Sequence, residues 1–465
     1  MTTADSSVHL LVHDLPDDIV VTDPDIVSAY ARDQSQFTDN ATPLAVLTPR
    51  TTLEVSACMA SAHRQGISVV TRGAGSGLSG AANPPADAVV LSMHKMNSIR
   101  ELDVDNRLVV VEPGVVTADL RDHVRKWGLY YPPDPGSVDF CTIGGNVATN
   151  AGGMCCVKYG VTGDFVIALE CVLADGRIMR TGHRTIKGVA GYDLTSLLVG
   201  SEGTLAVITE ITLRLLPAPQ PAHTLVASFP TLDGAGRAVS EIAAAGVVPS
   251  MLEILDRTTV SAVNDLTKMG IAAGTEALLL VQHDGVDATG ALGLVEQCCT
   301  KHGADEVIVS SDPTEAAMLL EARRQALPAL ERLGDWLLDD VSVPCTRITA
   351  LIAAIDAIAR RAGLIIGVFG HAGDGNLHPT IIYDKTDSAS RAAALDAFDA
   401  ITRTALELGG TITGEHGVGR LKVDWLRKEL DPVAASVHSA LKSAIDPSGI
   451  LNPGAVIATE SGKHT

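Results

Sequence analysis

Two short glycine-rich segments hold the residues best suited to chemistry. Gly370-His-Ala-Gly-Asp-Gly-Asn-Leu-His378 sets His371 and His378 seven residues apart around a glycine turn. Gly414-Glu-His-Gly417 adds the carboxylate of Glu415 and the imidazole of His416. Two imidazoles and one carboxylate that leave positions open suit Zn²⁺, Mn²⁺ or a similar divalent ion. The helical H-E-x-x-H pattern of zinc proteases is absent. Asp374 and Asn376 lie inside the turn, where they either orient ligands or form the turn itself.

A second set of glycines points to a nucleotide. Residues 72–80 read RGAGSGLSG after a β-branched strand at 67–71, residues 143–153 read IGGNVATNAGG, and residues 199–205 read VGSEGTL. Glycine lets backbone N–H groups approach a pyrophosphate and adopt positive φ. Two such loops, far apart in sequence, can clamp the ends of one long cofactor. The G-x-G-x-x-G spacing from Gly75 to Gly80 matches a dinucleotide fingerprint, but that fingerprint opens a helix, and the following Ala-Ala-Asn-Pro-Pro85 leaves little room for one. No G-K-[ST] phosphate loop occurs.

The elements that must position these segments fall into two groups. A helix at 52–65, closed by Gly66, precedes the first glycine loop. Strands are expected at 88–93 and 108–112, a helix at 117–127, a hairpin at 165–181 turning on Asp175-Gly176, and one strand or pair at 205–216. Pro132-Pro-Asp-Pro-Gly136 opens what reads as a long irregular loop through Gly163. Pro217-Ala-Pro-Gln-Pro221 is the clearest linker. Beyond it, strand-like runs at 224–229, 277–282, 307–310 and 364–369 alternate with Ala-rich helices at 233–245, 288–302, 348–362 and 388–408. A last helix is expected at 432–445.

Composition narrows the function. The 465 residues carry 35 basic and 55 acidic side chains, a net charge of −20, which argues against nucleic acid. An anionic substrate must then be drawn by a local positive site. Length predicts two or three domains. No Lys or Arg precedes Arg32, so no basic targeting segment is expected, and no run of about 18 apolar residues reads as a membrane span. The eight cysteines include the pairs Cys155-Cys156 and Cys298-Cys299 but no C-x-x-C; reduced thiols in a cytoplasm are expected, with Cys155-Cys156 as core filler.

The segments TRGAGSGLSG (71–80), PPDPGSVDFCTIGGNVATNAGG (132–153), GVAGYDLTSLLVGSEGTLAVITEITLRLLP (188–217), GHAGDGNLHP (370–379), GEHGVGRLK (414–422) and DPSGILNPG (446–454) run in one order over most of the chain. They make the chain resemble the FAD-linked D-2-hydroxyacid dehydrogenases of the vanillyl-alcohol oxidase/p-cresol methylhydroxylase superfamily. The resemblance implies an α+β protein: an N-terminal extension (1–24), a two-subdomain FAD-binding domain of the p-cresol methylhydroxylase type (25–217), an α+β substrate- and metal-binding domain with an antiparallel sheet (222–431), and a C-terminal helical segment (432–465) returning to the flavin. It further implies that Arg72, Gly73, Ala74, Gly75, Ser76, Gly77 and Leu78 wrap the FAD pyrophosphate. Pro133, Asp134, Gly144, Gly145, Asn146, Thr149, Asn150, Gly152 and Gly153 would line the second side, with Glu202, Gly203, Ile208 and Asn452 also at the flavin nucleotide. The first loop contains no His, so non-covalent FAD is expected.

By the same resemblance His371, His378 and Glu415 hold Zn or Mn, and His416 takes the hydroxyl proton while the C2 hydrogen leaves as hydride to the flavin. Arg323 matches the arginine of the family's W-x-x-R helix, although Leu320 stands where the tryptophan is usual. It is the leading receptor for the substrate carboxylate; Arg347 and Lys422 are secondary, and either could serve the longer diacid D-2-hydroxyglutarate. The expected substrate is D-lactate, glycolate or a similar short acid. Electrons would leave to a separate acceptor (a quinone, a cytochrome, an electron-transfer flavoprotein or an iron–sulfur subunit), and a homodimer or a peripheral place at a membrane is compatible. A metal-dependent hydrolase would explain the histidines but not the paired glycine loops, and a non-catalytic flavoprotein scaffold has no use for Glu415-His416.

Overall fold

The computed structural model describes residue 11 and residues 13–457. The chain divides into two compact units, residues 1–151, 161–218 and 416–465 in the first, and residues 152–160 and 219–415 in the second. The break at 218/219 falls inside the Pro217–Pro221 linker. The other breaks fall at 151/152, 160/161 and 415/416, so residues 152–160 group with the second unit and the segment from His416 with the first.

Among the described residues the first unit holds two larger sheets, in keeping with two subdomains, and a two-stranded ribbon of Leu129–Tyr130 with Leu216–Pro217. In one, Val46–Leu47, Ala88–Ser92 and Ser68–Arg72 run parallel, and Val20–Val21 pairs antiparallel with Val46–Leu47. The helix Thr52–Gln65 connects two of these strands; the Thr51 hydroxyl caps its first turn by accepting from the Glu54 N–H, and Gly66 (φ 65°) ends it in the left-handed conformation. Its Val55, Cys58, Met59 and Ala62 pack on Val69, Val89 and Leu91. Leu11, Leu15 and Ile19 complete that core. The second sheet is antiparallel, in the order Ile99–Asp103, Leu108–Val111, Val207–Arg214, Val166–Val172, Ile178–Gly182.

The irregular loop expected from 132 to 163 is instead broken by the helices Ile143–Thr149 and Cys156–Tyr159 and a 3-10 turn, Thr162–Asp164. Gly144 and Gly145 are poor helix formers. The Thr142 hydroxyl nevertheless accepts from the Gly145 N–H at the start, and Asn150 (φ 53°) closes the helix. Cys155 and Cys156 are only half-buried, not core filler.

The tail joins the first sheet. Val69 donates to the Ile450 carbonyl and the Asn452 N–H to the Val69 carbonyl, 2.8 and 2.9 Å, after the helix Pro432–Ile445. Buried Lys442 pins the turn, its ammonium donating to the carbonyls of Thr204 and Leu451 and to the Asp446 carboxylate.

The second unit is one antiparallel sheet of eight strands: Glu306–Ser310, His223–Phe229, Ala277–His283, Met251–Asp256, Ile365–His371, Asn376–Tyr383 and Asp335–Leu338, with Val341–Ser342 also pairing to Asn376–Tyr383. Helices Leu232–Ala244, Arg257–Thr267, Ala288–Lys301, Ile348–Ala362 and Ser388–Glu407 accompany it. Met251–Asp256 and Asn376–Tyr383 were not expected as strands. Both are buried almost throughout, so neither shows the alternation of a one-sided strand.

Lys442→Ala should destabilise the protein by about 3 kcal/mol, because it leaves Asp446 buried without its cation. Urea unfolding followed by circular dichroism checks this; a loss under ~1 kcal/mol would show that Asp446 does not depend on it.

Candidate active site

The three residues expected to hold a metal do converge. His371 ends the strand Ile365–His371, and His378 lies on the antiparallel partner Asn376–Tyr383. Because His371 faces Asn376, His378 is its diagonal neighbour on the same face, and the two rings meet edge to face at 5.1 Å. The turn between them needs Gly375: it has φ 89°, and a Cβ there would stand 1.9 Å from the Val343 carbonyl oxygen. Asp374 is the turn former, accepting from the Asn376 N–H at 3.2 Å.

The three donor atoms form a nearly equilateral triangle. His371 Nε2 lies 3.3 Å from His378 Nε2 and 3.4 Å from Glu415 Oε1, and His378 Nε2 lies 3.3 Å from the same oxygen. Three ligand atoms at bonds of about 2.1 Å and tetrahedral angles stand roughly 3.4 Å apart, so the donor set fits a small divalent ion. Both histidines are almost fully buried.

Buried carboxylates stand behind each imidazole. Glu253, fully buried on Met251–Asp256, is the cross-strand partner of His371, and its Oε1 lies 2.6 Å from His371 Nδ1. This carboxylate accepts a hydrogen bond from Nδ1–H and so aims Nε2 into the triangle. Asp340 Oδ1 lies 3.7 Å from His378 Nδ1, while its Oδ2 accepts from the Thr413 hydroxyl and from the N–H groups of Gly414 and Glu415. Asp340 therefore fixes the backbone that carries Glu415.

The electrostatics ask for a positive charge at the centre. Burial disfavours a charged His371, yet Glu253 and Glu415 outweigh it and hold its pKa well above the ordinary imidazole value. Burial likewise opposes a charged Glu415, but His371 and His378 hold it well below the ordinary carboxylate range.

Arg323 is anchored through its Nε. Its Nε donates to Glu253 Oε2, and its guanidinium lies over the Phe369 ring, 4.8 Å from the centroid. Arg347 is exposed in the one-turn helix Cys345–Arg347, whose Cys345 thiol contacts the Gly373 carbonyl. Lys422 is fully buried in the first unit. Sequence reasoning missed Glu253 and Asp340. Each sits in or beside an apolar run (MLEILD, LLDDVSV) that marks it only as an acid where core is expected.

In the first unit the three glycine segments do meet. A Cβ on Gly73 would stand 2.4 Å from the Thr142 hydroxyl, and one on Gly203 would touch Thr71 at 3.7 Å. The third segment is tied to the helix Ile143–Thr149 by Gly200 and Glu202 N–H groups donating to Val147 and Ala148. Asn452 (φ 43°) joins the tail to both, its amide donating to the carbonyls of Ala81 and Glu202. Ala74 is exposed, and Ser76, Gly77 and Leu78 are half-buried. Gly75 and Gly80 have φ 72° and 78°, so the loop carries the positive-φ backbone that an anion cradle needs. The Thr71 hydroxyl beside it is buried without a hydrogen bond. These features fit a dinucleotide such as FAD.

Several of the residues expected at the cofactor also bond within the framework. Arg72 is tucked under its own loop, donating to the Arg32 and Ala82 carbonyls and filling the space beside Gly75. Pro133, Asp134 and Ile208 are buried. Asn146 donates to Thr117, the Thr149 hydroxyl bonds back to Gly145, and Asn150 accepts from the Gly163 N–H. Gly152 and Gly153 lie in the second unit, where a Cβ on Gly152 would stand 2.6 Å from Glu415 Oε2. Glu202 accepts from the N–H groups of Val418 and Gly419 (2.8 and 2.9 Å), and Ser79 donates to the carbonyls of His416 and Gly417. The backbone that begins at His416 is thus clamped from two sides within the first unit.

Comparison with known proteins agrees with this division of labour. Residues 43–182 match the model of an FAD binding domain, and residues 218–456 that of the FAD linked oxidases, C-terminal domain. The chain is 43% identical over 425 residues to the glycolate oxidase subunit GlcD of Bacillus subtilis, covering 91% of this chain and 90% of that one. It is 35% identical over 449 residues to a D-lactate dehydrogenase of Anaerostipes hadrus, covering 94% of each. In fold it superposes on p-cresol methylhydroxylase with a TM-score of 0.79 at 18% identity, covering 98% of each chain. The chain belongs to the FAD-linked oxidases, flavin oxidoreductases built on a p-cresol methylhydroxylase-type fold.

Gly152→Ala should lower metal affinity about tenfold while flavin content stays normal, because the new methyl displaces Glu415. Unchanged metal binding with lost flavin would return Gly152 to the cofactor. Burial pushes Glu202 up to about 7, even though two N–H groups favour its charged form. The folded protein therefore holds this proton to higher pH than the unfolded chain does, and stability falls as pH rises from about 4.5 to about 7. Glu202→Gln should flatten that part of the Tm–pH profile; an identical slope would mean that Glu202 ionises normally.

Proposed function

We propose that the chain oxidises a short D-2-hydroxy acid, such as D-lactate or glycolate, to the 2-oxo acid. The observation that carries the reading is the buried convergence of His371, His378 and Glu415 in a chain built to hold FAD. The relatives named glycolate oxidase subunit and D-lactate dehydrogenase support it, since glycolate and lactate are both 2-hydroxy acids. When bound, non-covalent FAD accepts the hydride from C2, and a divalent ion such as Zn²⁺ or Mn²⁺ binds the substrate and acidifies its hydroxyl.

The protein's own residues do the rest. His371, His378 and Glu415 hold the ion and leave coordination positions for a carboxylate and a hydroxyl oxygen. His416, next in sequence to Glu415, receives the hydroxyl proton as the hydride departs, which avoids a full positive charge at C2. Arg323, anchored by Glu253, supplies positive charge for the substrate carboxylate in a protein of net charge −20. Electrons then pass to a separate acceptor, in keeping with the subunit status of the Bacillus relative.

His416→Ala should retain its flavin but lose anaerobic bleaching by D-lactate and glycolate, by roughly a hundredfold or more in rate. Stopped-flow absorbance at the flavin band reads this, with L-lactate as the control. Bleaching at the parent rate would remove His416 from the reaction, and bleaching by none of a panel of D-2-hydroxy acids would remove the substrate class.

A further inference from the structure

Glu253 has two partners, and they make opposite demands on anything that replaces it. Its Oε2 is claimed by Arg323 Nε, and its Oε1 by His371 Nδ1, which faces it across the strand pair Met251–Asp256 and Ile365–His371. An arginine can only donate. A carboxylate meets both neighbours with acceptor oxygens, so Nδ1 carries the proton and Nε2 presents its lone pair to the triangle. Both Glu253 and His371 are shut off from water, so neither can turn to other partners.

We infer that Glu253 is a positioning residue that sets the tautomer of His371, and that Arg323 enforces the setting. The inference rests on the metal reading of the triangle and adds a coupling between the arginine and the ion. In Glu253→Gln the shape is kept, but Arg323 claims the single amide oxygen. The amide NH₂ is then turned to His371 Nδ1, where it donates. The proton moves to Nε2, which points at His378 Nε2 and Glu415 Oε1, and the lone pair needed for an ion is gone. Removing the arginine frees the amide to rotate, its oxygen accepts from Nδ1–H, and the lone pair returns.

The test is a set of four flavin-loaded proteins, wild type, E253Q, R323M and E253Q/R323M, titrated with Zn²⁺ against a chromophoric chelator. Flavin content and Tm report folding. E253Q should bind Zn²⁺ about tenfold to a hundredfold more weakly than wild type. The double variant should recover to within about threefold of R323M. Should E253Q alone fail to fold, the second comparison still decides: if glutamine costs tenfold or more in the R323M background too, Arg323 is not what turns it, and the inference falls. Equal Zn²⁺ affinity in E253Q and wild type also overturns it. Absence of any Zn²⁺ or Mn²⁺ binding by wild type would instead sink the metal reading itself.

Discussion

Three acceptor atoms held within 3.4 Å of one another inside a protein form an arrangement that cannot stand without a positive charge among them. Most of the second unit is arranged around that constraint. Adjacent antiparallel strands put His371 and His378 on one face, a tight glycine turn keeps them seven residues apart in sequence but in ring contact, and Asp340 ties down the backbone of Glu415. The buried Glu253 carboxylate raises the basicity of His371 and fixes its orientation, and four acidic groups (Glu253, Asp340, Asp374 and Glu415) gather in one region. Burial in a sheet of eight strands raises the cost of such a concentration of negative charge, which positive charge at Arg323 and at the centre of the triangle offsets.

The first unit answers a different requirement, close approach of backbone to a long anionic cofactor. Its glycines are not spread for flexibility. They sit where the first loop presses on Thr142, where the third segment touches Thr71, and where the segment beginning at His416 passes under Ser79 and Glu202. The returning tail is part of the same device, since Asn452 bonds to the end of the first loop and to Glu202 at once. Glu202 thus acts twice: its N–H ties the third glycine segment to Ala148, and its carboxylate holds the N–H groups of Val418 and Gly419 next to the proposed base.

Much of this was legible in the sequence. His371, His378 and Glu415 stood out because polar ligands flanked by glycine are hard to explain as core, and the Pro-rich linker marked the domain break at 218. The remainder was hidden for physical reasons. Ile143–Thr149 reads as loop because Gly-Gly disfavours helix, and only the Thr142 cap and the Asn150 exit make one there. Met251–Asp256 reads as an undifferentiated apolar run because it is buried on both faces, which also concealed Glu253. Gly152 looked like a flavin contact beside its neighbours, yet its lack of a side chain makes room for Glu415. Arg323 was found by its motif, but pairing with an acid 70 residues away cannot be read from spacing.

The role of the triangle is most directly tested by removing and restoring the ion in flavin-loaded protein. If His371, His378 and Glu415 hold the ion that the reaction needs, anaerobic reduction of the flavin by D-lactate or glycolate falls in proportion to metal content as chelator strips it. The rate then returns on adding Zn²⁺ or Mn²⁺ to wild type but not to a His378→Ala variant. Full-rate flavin reduction in protein shown by elemental analysis to be metal-free would contradict that role.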